Sequence, residues 1–150
     1  DEEMRLNPAG EMIRKWWYKL PEKFTNSQMD EHVVMPNHVH GIIWIPESPV
    51  GADPGVGPGV AMSKGAHIGA PLHGVSIPKI IQWFKTMTTN EYIRGVKQLG
   101  WQSFSQKLWQ RSFYDHIIRD ERGLHQIREY IRANPMMWDQ DGENPVRGRM

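Results

Sequence analysis

Two histidines one residue apart, His38 and His40, sit in the apolar run from Val33 to Ile45. On a β-strand, residues i and i+2 point to the same face, so these imidazoles stand about 6–7 Å apart at the backbone. Neutral ring nitrogens so placed can share one divalent ion, with a third ligand from elsewhere. A polar pair on a half-exposed strand fits the bare motif equally well. Further along, Gln126, Tyr130 and Asn134 follow at four-residue spacing, so a helix lays them along one face. A tyrosine at the edge of a docked helix can act as a covalent nucleophile where its surroundings lower the cost of the phenolate. Asn134, one turn on, offers a carbonyl oxygen to a metal. The plain alternative for Tyr130 is an interfacial aromatic with its hydroxyl in water.

The elements that must position these groups are legible in outline. Residues 10–20 read as a helix, with Met12 or Ile13, Trp16 and Leu20 at three- and four-residue spacing. Pro8 suits its first turn and Pro21 ends it. Trp16, Trp17 and Tyr18 could form a base-stacking platform, but a core with a partly exposed flank is the better reading. Residues 30–36 and 38–45 read as two strands joined by a tight corner at Pro36-Asn37. His38, His40, Ile42 and Trp44 share one face of the second strand, and Val39, Gly41, Ile43 and Ile45 the other. Gly41 leaves room beside the histidines or marks a bulge.

A second helix is expected over 77–99, with Ile80, Ile81, Phe84, Met87, Ile93 and Val96 apolar, Pro78 in its first turn and Gly100 at its end. Thr88-Thr89-Asn90 weakens this helix or divides it in two. Residues 101–118 read mostly as extended. A last helix opens at Asp120-Glu121, with acids at its positive end, buries Leu124, Ile127 and Ile131, and stops at Asn134-Pro135. The polar tail, 136–150, wraps the surface or frays.

Between strand and helix, residues 47–77 hold seven glycines and four prolines with almost no charge, the composition of a loop or insertion rather than a second domain. Its histidines, His67 and His73, are poor candidates for structural ligands. At 150 residues and 39% hydrophobic, the chain is long enough for one domain with a real core. No apolar run approaches the ~20 residues of a membrane span. With no cysteine there are no disulfides or thiolate metal sites, in keeping with a reducing, cytoplasmic setting. Net charge is only +1, but residues 78–150 carry twelve Lys and Arg against eight Asp and Glu. That basic half permits a nucleic-acid partner.

Three blocks of sequence resemble one family. Met35-Pro36-Asn37-His38-Val39-His40-Gly41 and the Ile-rich strand after it are similar to the His-hydrophobe-His motif of the HUH endonucleases. Glu129-Tyr130-Ile131-Arg132-Ala133-Asn134-Pro135 resembles the signature of the REP-associated single-tyrosine transposases of that group. Leu108-Trp109-Gln110-Arg111, with Phe113 to Arg119, resembles the family's penultimate strand. The resemblance spans about residues 4–46 and 77–138, and the order of the blocks makes it specific.

The resemblance implies an α+β fold, a ferredoxin-like antiparallel sheet with helices on one face. It also implies a strand ahead of the first helix, for which residues 1–9 are too short and polar. A chain opening on Asp1 is therefore expected to lack its first strand. The implied chemistry is metal-dependent nicking and strand transfer on single-stranded DNA. His38, His40 and Asn134 would hold Mg²⁺ or Mn²⁺, and Tyr130 would form a 5′-phosphotyrosine. Related insertion-sequence enzymes carry Gln where Asn134 stands, so the shorter side chain shifts the metal or leaves water as the ligand. Gln126 would position the phosphate or the tyrosine. Hairpin DNA with a single-stranded flank is the implied partner. Lys79, Lys85, Arg111, Arg119, Arg128 and Arg132 are candidate backbone contacts, in a monomer or homodimer with no membrane association. The competing readings are a domesticated or truncated hairpin-binding protein that no longer cuts, and a metal-dependent hydrolase in which Tyr130 is structural.

Overall fold

The computed structural model of the chain describes residues 4–45 and 75–145. Most of the Gly/Pro-rich segment, with His67 and His73, lies outside the described residues. What is described is an α+β arrangement: helix α1 (Pro8–Lys23), a hairpin of β1 (Gln28–Val34) and β2 (Val39–Trp44), α2 (Ile77–Leu99), α3 (Glu121–Ala133) and a 3-10 helix over Asn134–Gln140.

Helix α1 begins where the Asn7 side chain accepts the Gly10 N–H at 2.8 Å, with Pro8 in the first turn. Pro21 does not end the helix, as expected from sequence, but lies inside it. Proline forfeits one backbone bond near a helix end. The turn persists because Trp17 and Leu20 are anchored in the core and Phe24 N–H still reaches the Leu20 carbonyl at 2.8 Å.

Thr88-Thr89-Asn90 likewise does not divide α2. The fully buried Thr88 hydroxyl donates back to the Phe84 carbonyl at 2.7 Å and accepts the Trp109 indole N–H at 2.9 Å, so its polarity is satisfied without opening the helix. Gly100 ends α2 in the left-handed region, φ 72°, which costs glycine nothing.

Among the described residues the sheet is the antiparallel pair β1–β2 alone. The larger sheet expected from sequence is not present there, and residues 108–118 form no strand. Among the described residues no strand lies beside that segment to pair with it. Its Gln110 and Ser112 carbonyls instead accept from the Lys85 ammonium at 2.8 and 3.3 Å.

The helices cover both faces of the hairpin, where one covered face was expected. Met29, Ile43 and Ile45 pack with Trp17, Leu20, Ile80 and Phe84 of α1 and α2. Val33 and Ile42 pack with Leu124 and Ile131 of α3 on the other side. Gly41 serves the first face: a Cβ there would lie 2.1 Å from the Trp17 ring. The glycine is therefore required by the indole lying over it, opposite the face that carries His40. The bulge is in β1, between Met29 and His32. It lets the neighbouring acids Asp30 and Glu31 both reach α3, where simple alternation would send them to opposite faces.

Candidate active site

The hairpin and α3 together assemble the site. His38 ends the corner, where Met35 N–H closes the turn onto the His38 carbonyl at 2.8 Å. His40 lies opposite Val33 on the face that packs against α3. The two imidazoles meet edge to face, ring centroids 4.7 Å apart. The Tyr130 ring sits 5.5 Å from that of His40. Two motifs separated by ninety residues of sequence thus converge within one chain.

The environment prepares both rings to present lone pairs. His38 Nδ1 lies 2.7 Å from Asn37 Oδ1, an acceptor, so Nδ1 carries a hydrogen and Nε2 is the nitrogen that can offer a lone pair. Asn37 is itself fixed, its amide donating to the Glu143 carbonyl at 2.6 Å. Such a partner on the remote nitrogen is what orients a ligating imidazole. At His40, burial and then the neighbouring His38 push the imidazole pKa below its usual range, against a smaller upward pull from Asp141. That direction favours the neutral ring, the form that ligates.

Asn134 is 4% exposed, at the junction of α3 and the 3-10 helix, and its carboxamide takes no hydrogen-bond partner among the described residues. Gln126 is exposed on α3. No three His, Asp or Glu side chains gather as a metal group among the described residues.

Two features escaped the sequence reading. The tail lies against the site: Trp138 packs on His38 at 6.0 Å, and Asp141 Oδ2 is 3.9 Å from His38 Nε2. Glu143 N–H caps Asp141 Oδ1 at 2.9 Å. Pro135 at the start of a helical turn and Trp138 as a large apolar residue in a polar tail were the available signals.

The second feature is the fixing of α3. Arg128 grips Asp30 through Nε at 2.9 Å and Nη2 at 2.5 Å, and Arg132 grips Glu31 through Nε at 2.9 Å and through Nη2. Asp30 also accepts from the Trp44 indole at 2.8 Å, and Arg128 with these donors holds its carboxyl well below the usual range. Arg128 and Arg132 were expected as DNA contacts. In the structure both also form ion pairs that fasten the Tyr130 helix to β1. A four-residue step of arginine on the helix, facing two adjacent acids on a strand, was the signal. The remaining cations divide: Lys79, Arg111 and Arg119 are exposed, whereas Lys85 is half-buried beneath residues 110–113, and burial pushes its pKa down.

A Haemophilus influenzae protein described as uncharacterized is 34% identical to the chain across an alignment of 147 residues that covers 94% of this chain and 72% of that protein. No family model and no solved structure matches the chain.

Proposed function

For a chain that belongs to the same family as that Haemophilus influenzae protein, we propose metal-dependent nicking and rejoining of single-stranded DNA through a covalent tyrosine intermediate. The observation that carries this reading is the meeting of His38, His40 and Tyr130, three groups with separate chemical roles, in one continuous surface. We take the fold as a ferredoxin-like HUH domain. Its support is a hairpin that carries the His pair and a tyrosine helix packed on the same face.

His38 Nε2 and the His40 ring are nitrogen donors, and the unpartnered Asn134 carboxamide is an oxygen donor. That mixed set suits Mn²⁺ better than Mg²⁺, which favours oxygen ligands. When bound, the ion would polarise the scissile phosphate. Tyr130, 57% exposed, is free to meet a phosphodiester from solvent. Its Oη forms a bond to phosphorus as the bond from phosphorus to the 3′ oxygen breaks. The phenolic proton is lost to solvent and the leaving 3′ oxygen takes one up. The chain is left with a 5′-phosphotyrosine. Attack by another 3′-hydroxyl reverses the sequence and joins strands, with no external energy source.

The test is incubation with a labelled hairpin bearing a single-stranded flank, with and without Mn²⁺. An adduct that survives SDS and vanishes in Tyr130→Phe supports strand transfer. Binding with no adduct assigns the chain to hairpin binding alone. Cleavage that persists in Tyr130→Phe assigns it to metal-dependent hydrolysis.

A further inference from the structure

Away from the histidines, a groove of about 510 Å³ runs between α2 and the segment that follows it. Three cations line it, Lys85, Lys107 and Arg111, and no Asp or Glu does. Among the described residues Lys107 and Arg111 make no ion pair, and both are exposed. Lys85 has a different part. Its ammonium holds the Gln110 and Ser112 carbonyls and lies 5.8 Å from the Phe113 ring, so it fixes the backbone on either side of Arg111.

Two further observations point to a ligand. Gln106, on the groove wall, has φ 67°, a left-handed conformation rare for a residue with a side chain. Strain of this kind concentrates at binding sites. Beyond Arg111 the chain carries exposed aromatic surface: Phe113, with the Lys85 ammonium on one side, is still 40% exposed, and Tyr114 is 94% exposed. Tyr114 lies three positions after Arg111, at most about 11 Å of chain.

We infer that this groove binds single-stranded nucleic acid. Lys107 and Arg111 would meet successive phosphates, and the rings of Phe113 and Tyr114 would stack unpaired bases beyond them. Free cations without acids select a polyanion, and exposed rings beside them select one with flat, unpaired bases. A folded duplex hides those base faces, and an acidic peptide has none. The identity of the strand as DNA rests on the strand-transfer reading, and the groove gives that reaction a track for its single-stranded flank.

The test is fluorescence anisotropy of the full chain with a labelled twenty-nucleotide oligo-dT across a range of salt. Each lost phosphate contact lowers the slope of log K against log salt by about 0.7, so Lys107→Gln with Arg111→Gln lowers it by about 1.4. Tyr114→Ser weakens binding about fivefold or more with little change in slope. Lys23→Gln, an exposed lysine on α1 outside the groove, leaves the slope unchanged. An equal slope change in Lys23→Gln overturns the inference by reducing it to net charge. Competition by polyglutamate as strong as by unlabelled oligo-dT overturns the stacking. A double variant that keeps the wild-type slope while still forming the SDS-stable adduct overturns the groove and leaves strand transfer standing. The expected slope change with no adduct under any divalent ion leaves the groove standing and removes strand transfer.

Discussion

Asp30→Asn tests whether α3 is held by charge or merely by its apolar stripe. The substitution keeps the shape of the side chain but exchanges an acceptor oxygen for a donor facing Arg128. Asp30 is only 14% exposed at its side chain and accepts from Arg128, the Trp44 indole and the Glu31 N–H. Hydrogen bonds to a charged group contribute about 1.5–3 kcal/mol. Partial exposure screens the pair, and some bonds survive in the amide, so we expect a loss of about 2 kcal/mol. In urea, with a slope of about 1.5 kcal/mol per molar, the midpoint falls by about 1.3 M. Glu31→Gln, whose partner Arg132 is 53% exposed, should cost much less.

The effect should also depend on pH in a defined direction. Asp30 has a depressed folded pKa, so its contribution is present above the unfolded value of about 3.9 and is lost as pH falls through the folded value. Wild type and variant should therefore differ by a constant amount from pH 7 to about 5 and converge in acid below about 4. A midpoint shift no larger than that of Glu31→Gln, or a difference that widens in acid, would refute the reasoning.

Other substitutions probe separate links. Gly41→Ala should destabilise the fold by about 1–3 kcal/mol in the same urea assay, because its methyl meets the Trp17 ring. A neutral result would mean that the indole can move aside. Asp141→Asn should move the His40 pKa further down in an NMR titration, since the carboxylate is what opposes burial there. An upward movement would contradict the placement of the tail. Tyr114→Phe should leave the SDS-stable adduct intact, which isolates Tyr130 as the nucleophile. Tyr114 lies in the segment expected to be extended, and at 94% exposed it keeps its ring in the variant without any buried contact to lose.

The parts of this molecule written in local periodicity were readable in advance. Ile80 and Phe84, four residues apart, are buried on α2, and Leu124 and Ile131 are buried on α3. The histidines alternate with Val39 as a strand requires. Because both motifs lie on amphipathic elements, the meeting of His40 and Tyr130 followed from packing apolar face to apolar face. What could not be read depends on partners distant in sequence. Residues 108–118 have strand-like composition, but a strand exists only where another lies alongside, and composition does not say whether one does. Pro21 and Thr88 looked like helix breakers because propensity ignores the core contacts that override it. Asp30 and Glu31 looked like ordinary surface acids, since a bulge leaves no mark in the pattern of a single strand. Asp141 belonged to a tail read only as polar, because its neighbour His38 is about a hundred residues away.

The bulge in β1 has a consequence for how this protein can change over generations. It works as a rotational stop on α3. Adjacent strand acids grip guanidiniums one helical turn apart, and slipping α3 by one residue would turn it about 100°. Both grips would then open, and Tyr130 would swing off His40. A deletion that straightened the strand would carry one acid to the opposite face and leave one arginine without its mate. The angular setting of the proposed nucleophile is therefore recorded in a dipeptide about a hundred positions earlier. Relatives that retain the tyrosine should exchange Asp30 with Arg128, and Glu31 with Arg132, as matched pairs.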